Sequence, residues 1–163
     1  MKNQIDYFSL LGLPRSFDID LDALEKAYIT NQQKYHPDTQ QGLNACEKLK
    51  LMQQSVLINE AYQILKNPLK RAAYMLGCLH KEETINDPDL LEEVFDLQEE
   101  AGSLSSKEDI KNFLEKINLD LQKTFASLGK SLNENNVKGA QNLYFRAKYL
   151  TEIHKKVKTV DIL

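Results

Sequence analysis

Apolar side chains recur three and four residues apart along most of this chain, and strict alternation is nowhere sustained. That period belongs to amphipathic helices rather than strands. Proline and glycine cut the pattern into segments. "DYFSLLGLP" reads as a short helix ended by Gly12 and Pro14. Asp20 can cap the next segment, roughly Leu21 to Tyr35, with Leu21, Leu24, Tyr28 and Tyr35 on one side. A proline-containing break follows. From about Asn44 to Lys66 comes a long helix with Leu51, Ser55, Ile58, Tyr62 and Leu65 in one stripe. Leu49, Met52 and Val56 widen that stripe, which predicts packing on more than one neighbour. Pro68 starts a short helix that ends near Gly77.

Residues 78 to about 87 lack periodicity and read as a linker. Three longer segments follow. Pro88 suits a first helical turn with Asp87 as its cap, and this helix runs to about Ala101. Ser106 begins another, with Ile110, Leu114, Ile117, Leu121, Phe125 and Leu128 inward, and Gly129 to Asn136 is expected as a turn. The last helix runs to about Lys158, with Ala140, Leu143, Ala147, Leu150 and either Ile153 or His154 inward. Helices of this length with short connections make an antiparallel bundle. The expected fold is therefore all-α: an N-terminal domain over residues 1–76, a linker over 77–87 and a three-helix bundle over 88–163. There is no internal repeat and no low-complexity tract.

Composition agrees with two small helical domains. The 163 residues are 42% hydrophobic and 28% charged, with 6 Gly and 4 Pro. A net charge of -3 gives no general drive toward nucleic acid. No apolar run approaches the roughly 20 residues of a membrane helix. The start, "MKNQIDYFSL", has neither a signal-peptide core nor an Arg/Ser-rich leader, so a bacterial-type cytoplasm is the expectation, with a mature organelle protein the lesser alternative. Cys46 and Cys78 form no CxxC pair, and His80 near Cys78 has no further ligands beside it, so neither disulfide, metal nor cofactor is expected.

Two places carry candidate chemistry. "KYHPDT", residues 34 to 39, puts a histidine and a carboxylate around a stiff ring in a loop between two helices. Three readings stand: a catalytic pair, a docking point or an ordinary turn. Catalysis would need a nucleophile, an oxyanion site or a metal converging there, and Thr39 and Tyr35 offer no such logic. The second place is "PDLLEEVFDLQEEA". On a wheel of about 100° per residue, Leu90, Val94, Leu97 and Ala101 form a core line, while Leu91 and Phe95 fall some 100° to 140° away from Leu90. From Glu82 to Glu100 there are nine acids and no base, so Glu92, Asp96 and Glu99 would rim that apolar step. Such a patch marks a protein-binding site, or else packs under the N-terminal domain or flanks a wide core. Phe145 and Tyr149 make a similar excess on the last helix, whose bases Lys138, Arg146, Lys148, Lys155, Lys156 and Lys158 read as a solvated face balancing the acids.

The order of landmarks in the first half, "DYFSLLGLP", "LEKAYITNQQKYHPD" and "INEAYQILKNPLKRAAY", resembles a J-domain: an antiparallel helical hairpin with HPD at its tip and two short helices. The resemblance implies that His36, Pro37 and Asp38 dock on a chaperone of the 70-kDa heat-shock class (HscA/DnaK type) and stimulate its ATPase, Asp38 pairing with an arginine of the chaperone. Lys26 and Lys34 would help steer; Ile29, Thr30 and Gln33 stand where such domains usually carry more charge. With a helical bundle behind it, the whole chain resembles the HscB-type co-chaperones of iron–sulfur cluster assembly. "LLEEVFDLQEE" is similar to the family's scaffold-binding helix, whose pattern is Leu-Met-Glu-x-x-Glu-Leu-Arg-Glu-Glu. Leu91, Phe95 and Tyr149 fall on apolar contacts to an iron–sulfur scaffold protein (IscU type), and Glu93, Asp96, Glu99 and Glu100 on acidic positions. Glu92 stands in place of methionine and Gln98 in place of arginine. The zinc-binding CxxC extension of some eukaryotic members is absent, which favours a bacterial protein. The implied role is a non-enzymatic adaptor without cofactor, nucleic acid or membrane among its partners. The alternative is a J-domain co-chaperone for a different client.

Overall fold

The computed structural model describes residues 5–35, 42–79 and 87–160. Those residues form seven helices and no strand: α1 (Tyr7–Leu10), α2 (Leu21–Tyr35), α3 (Ala45–Lys66), α4 (Pro68–Leu76), α5 (Pro88–Gly102), α6 (Lys107–Asn133) and α7 (Val137–Val160). The chain divides into two compact units, residues 1–71 and 72–163, with the division inside α4. Residues 80–86, most of the expected linker, lie outside the described residues. No described helix is long and apolar enough to cross a membrane.

Polar caps satisfy the first amides of the helices. Asp6 accepts from Ser9 N at 3.3 Å, and Asp20 Oδ1 from Asp22 N at 2.9 Å and Ala23 N at 3.2 Å. Asn44 and Glu47 form a reciprocal capping box on α3, as do Ser106 and Asp109 on α6. Asp87 Oδ1 accepts from Leu90 N at 3.4 Å at the head of α5.

In the first unit α2 and α3 run antiparallel. Glu25 meets Tyr62, Tyr28 stacks on Tyr62 with centroids 4.1 Å apart, and Gln32 brackets Ser55 with two hydrogen bonds. Tyr62 O–H donates to Glu25 at 2.9 Å and accepts from Lys66 Nζ at 2.8 Å, a bond that raises the pKa of the Lys66 ammonium. Phe8, Leu11, Phe17, Leu24, Ile58, Ala61 and Leu65 are buried. Arg71 on α4 is buried too. It donates to the Leu65 carbonyl at 2.5 Å and lies 5.0 Å from the centroid of the Phe17 ring, while burial lowers its pKa. Two expectations fail here. Leu21, at the first residue of α2, is exposed, and so are Leu49, Met52 and Val56 on α3. α3 does pack on two neighbours, α2 and α1, but the residues it buries are Ile58, Ala61, Tyr62, Ile64 and Leu65 in its second half, so the widened stripe nearer its start stays in water.

In the second unit α7 packs along α6 and also against α5. One cluster joins Leu97, Phe113, Ile117, Leu150, Ile153 and Val157. A second joins Leu90 and Val94 of α5 to Phe145 of α7, with Tyr144 and Tyr149 packed against it. Ile153 is the inward residue and His154 is half-buried. Phe145 is thus core, contrary to the expected excess: α7 needs a second apolar stripe because it serves two neighbours. The expected turn at Gly129 is also corrected. Gly129 is buried inside α6, which continues to Asn133. The turn is made instead by Asn135, at φ 55°, with Asn135 N bonded to the Leu132 carbonyl at 3.2 Å and Asn136 N to the Ser131 carbonyl at 2.9 Å. That is a Schellman ending, and asparagine tolerates the left-handed conformation it requires. Asn136 Oδ1 then accepts from Gly139 N at 3.0 Å and caps α7. Phe113 and Thr124 are further buried residues of α6 outside the expected stripe.

Candidate functional site

The core line of α5 is filled by Leu90, Val94 and Leu97, all buried. Its neighbours on the wheel are not. Leu91 is 38% and Phe95 67% exposed. A phenylalanine that open leaves most of its apolar surface in water, which burial elsewhere would recover at about 25 cal/mol per Å². Glu92, Asp96, Gln98 and Glu99 are exposed around these two side chains. Among the described residues nothing pairs with Glu92, Asp96 or Glu99. Tyr149 is half-buried and packs onto the Leu90–Val94–Phe145 cluster, at the seam between α5 and α7.

The two remaining acids behave differently. Glu100 accepts from Lys116 Nζ at 2.6 Å in an exposed pair, worth little in stability. Glu93 is turned inward onto Arg146. The Arg146 Nε lies 3.0 Å from each carboxylate oxygen and Nη2 lies 2.5 Å from Oε1. Nη1 donates to Thr124 Oγ1, and Thr124 in turn donates to the Asp120 carbonyl at 2.7 Å. The bond to Glu93 raises the Arg146 pKa, against the opposing effect of burial. Arg146 is therefore no part of a solvated basic face, unlike exposed Lys138, Lys155, Lys156 and Lys158. A signal for this pair exists in the sequence. Glu93 falls about 60° from Leu90 on the wheel, nearer the core line than Leu91, and an acid placed there needs a partner. At the top of the same seam Asn142 Nδ2 donates to Asp87 Oδ2 at 2.8 Å, so one aspartate caps α5 and ties it to α7.

His36, Pro37 and Asp38 lie outside the described residues; in sequence they fall between the end of α2 at Tyr35 and the start of α3 at Ala45. Lys26 and Lys34 are exposed on α2, and Lys34 Nζ lies 5.1 Å from the centroid of the Tyr35 ring. Ile29, Thr30 and Gln33 are exposed as well, so the missing charge falls on open surface. Among the described residues no group of three His, Cys, Asp or Glu side chains is placed to hold a metal ion.

Two family models match the chain: the DnaJ domain over residues 6–74 and the HSCB C-terminal oligomerisation domain over residues 86–158. The co-chaperone protein HscB of Proteus mirabilis is 37% identical over 126 residues, which cover 74% of this chain and 73% of that protein. Among solved structures, chaperone HscB from Vibrio cholerae superposes with a TM-score of 0.83 at 30% identity over 96% of this chain and 97% of the other. Human co-chaperone protein HscB gives 0.87 at 26% identity, over 99% and 85% of the two chains. The Jac1 co-chaperone of Saccharomyces cerevisiae gives 0.79 at 26% identity, over 98% and 95%. A J-domain match followed by the HscB C-terminal match, on an all-helical chain that overlays these proteins over nearly its whole length, leads to one conclusion: the chain belongs to the HscB family of J-domain co-chaperones.

Proposed function

We propose that this protein is an adaptor that binds the scaffold protein on which iron–sulfur clusters are assembled and brings it to a dedicated 70-kDa heat-shock-class chaperone. The carrying observation is Phe95, largely exposed on a helix whose core line is already complete. With Leu91 and Tyr149 it offers apolar anchors, and Glu92, Asp96 and Glu99 surround them with charge that is free to meet a basic rim. At the other end of the chain, His36, Pro37 and Asp38 dock the chaperone and stimulate its ATPase, with Lys26 and Lys34 steering the approach. Holding both proteins also raises their effective concentration for each other. The 37% identity to a bacterial relative supports a bacterial cytoplasmic setting. Glu92 and Gln98, where the family pattern has methionine and arginine, are exposed and so change what the partner meets rather than how the helix folds.

The test is calorimetric binding to a purified iron–sulfur scaffold protein. Leu91→Ala/Phe95→Ala removes two exposed side chains, so helicity and Tm should stay unchanged. Each lost anchor should cost about 1–2 kcal/mol of binding. Tyr149→Ala is measured separately because Tyr149 also packs on the bundle. A wild-type protein that does not bind the scaffold overturns this reading in favour of a J-domain co-chaperone for another client.

A further inference from the structure

α5 carries its exposed apolar residues and its tightest polar anchor on opposite sides. Glu93 and Phe95 stand nearly opposite one another on the wheel, one on each side of the line Leu90–Val94–Leu97. Two apolar clusters join α5 to α7, one through Leu90 and Val94 and one through Leu97; they resist separation but are non-directional, so by themselves they tolerate small rotations of the helix about its axis. The Arg146 fork is directional. It meets both oxygens of Glu93 at 3.0 Å, and its far nitrogen donates to Thr124 of α6, which is 2% exposed. One guanidinium thus ties all three helices of the bundle. Arg146 stands next to Phe145, which fills the α5 seam, and three residues before Tyr149 on the same helix.

We infer that Arg146 is a positioning residue for the docking face: through Glu93 it fixes the rotation of α5 and its register on α7, and so sets Leu91 and Phe95 relative to Tyr149. Glu93 then belongs to the bundle and not to the partner. The acids offered outward are Glu92, Asp96 and Glu99, and the partner surface that fits them is an apolar ridge flanked by lysine or arginine. The inference rests on the scaffold-docking reading for its effect on affinity, and on the bundle geometry alone for the lock.

The experiment compares wild type with Arg146→Lys, which keeps the charge and loses the fork, with the reversed pair Glu93→Arg/Arg146→Glu, and with Ile110→Ala as a control. Ile110 packs at the far end of α5, beside Ala101, about two helical turns beyond Glu93. Methyl resonances of Leu90 and Val94 read the α5–α7 geometry through the rings of Phe145 and Tyr149. Calorimetry reads affinity for the scaffold protein. Arg146→Lys should keep its helicity, shift those methyls and weaken binding about tenfold. The reversed pair should recover part of both. Ile110→Ala should lose stability with methyls and affinity unmoved. Unmoved methyls in folded Arg146→Lys overturn the lock. Unchanged affinity there, or an equal loss in Ile110→Ala, overturns the positioning role. Should wild type itself not bind the scaffold, the docking reading falls and the methyl shifts still decide on the lock.

Discussion

Thr124 Oγ1 both donates to the Asp120 carbonyl and accepts from Arg146, which satisfies a hydroxyl that is 2% exposed. Valine has nearly the same shape and no acceptor. Thr124→Val should therefore strand one guanidinium N–H and cost about 1 kcal/mol or more in urea unfolding, while Thr124→Ser should stay close to wild type. The site residues were unequally legible at this scale. Leu91 and Phe95 stood out because two apolar side chains fell where a helix with a complete core line has no use for them. Phe145 looked the same and is core. Spacing on one helix counts apolar faces, but only the neighbouring helices say how many of those faces are covered. The Glu93–Arg146 pair is separated by 53 residues, and no local pattern links its halves.

At the scale of the element, helix ends were legible because capping is local. Asp6, Asp20, Asn44, Asp87 and Ser106 each bond amides within the next few residues. The head of α6 makes a pH test of this. The hydroxyl of Ser106 donates to Asp109 at 2.7 Å and is the main reason its carboxyl has a lowered pKa. The stabilisation is present above the unfolded aspartate pKa and is lost as pH falls through the lower folded value. The Tm difference between wild type and Asp109→Asn should be steady near neutrality and should vanish as pH drops below about 4. A difference that persists in acid would mean the cap does not depend on the charge. At its other end α6 ran past Gly129. The cost of a helical glycine, about 1 kcal/mol relative to alanine, is offset by packing where Gly129 is buried, and local propensity does not contain that term. α5 shows a different economy. Glu99 and Glu100 in its last turns oppose the helix dipole, typically 0.3–1 kcal/mol each, so its acidity is not there for helix stability.

For the molecule as a whole, the proposed adaptor role assigns one partner to each of the two compact units, which makes the two activities separable by mutation. His36→Gln should abolish stimulation of the chaperone's ATPase in a steady-state assay while leaving calorimetric affinity for the scaffold unchanged. Leu91→Ala/Phe95→Ala should do the reverse, keeping stimulation by the J-domain alone and losing the extra stimulation that bound scaffold brings. If either variant lowers both readouts equally, the units do not act separately and the adaptor reading is wrong.

Periodicity, caps and the Pro/Gly breaks determined by themselves that the chain is helical, where most of its helices begin, and that a half with two short helices precedes a bundle; the likeness of that half to a J-domain came from its motifs. These features are written within a few residues of one another, in the backbone hydrogen bonds and the 3.6-residue repeat. Tertiary structure alone decided which apolar faces are covered. Leu49, Met52 and Val56 remained in water, Phe145 went to the core, and Glu93 was claimed by Arg146. Burial and ion pairing depend on what arrives from elsewhere in the chain. A sequence window holds only one side of each such contact.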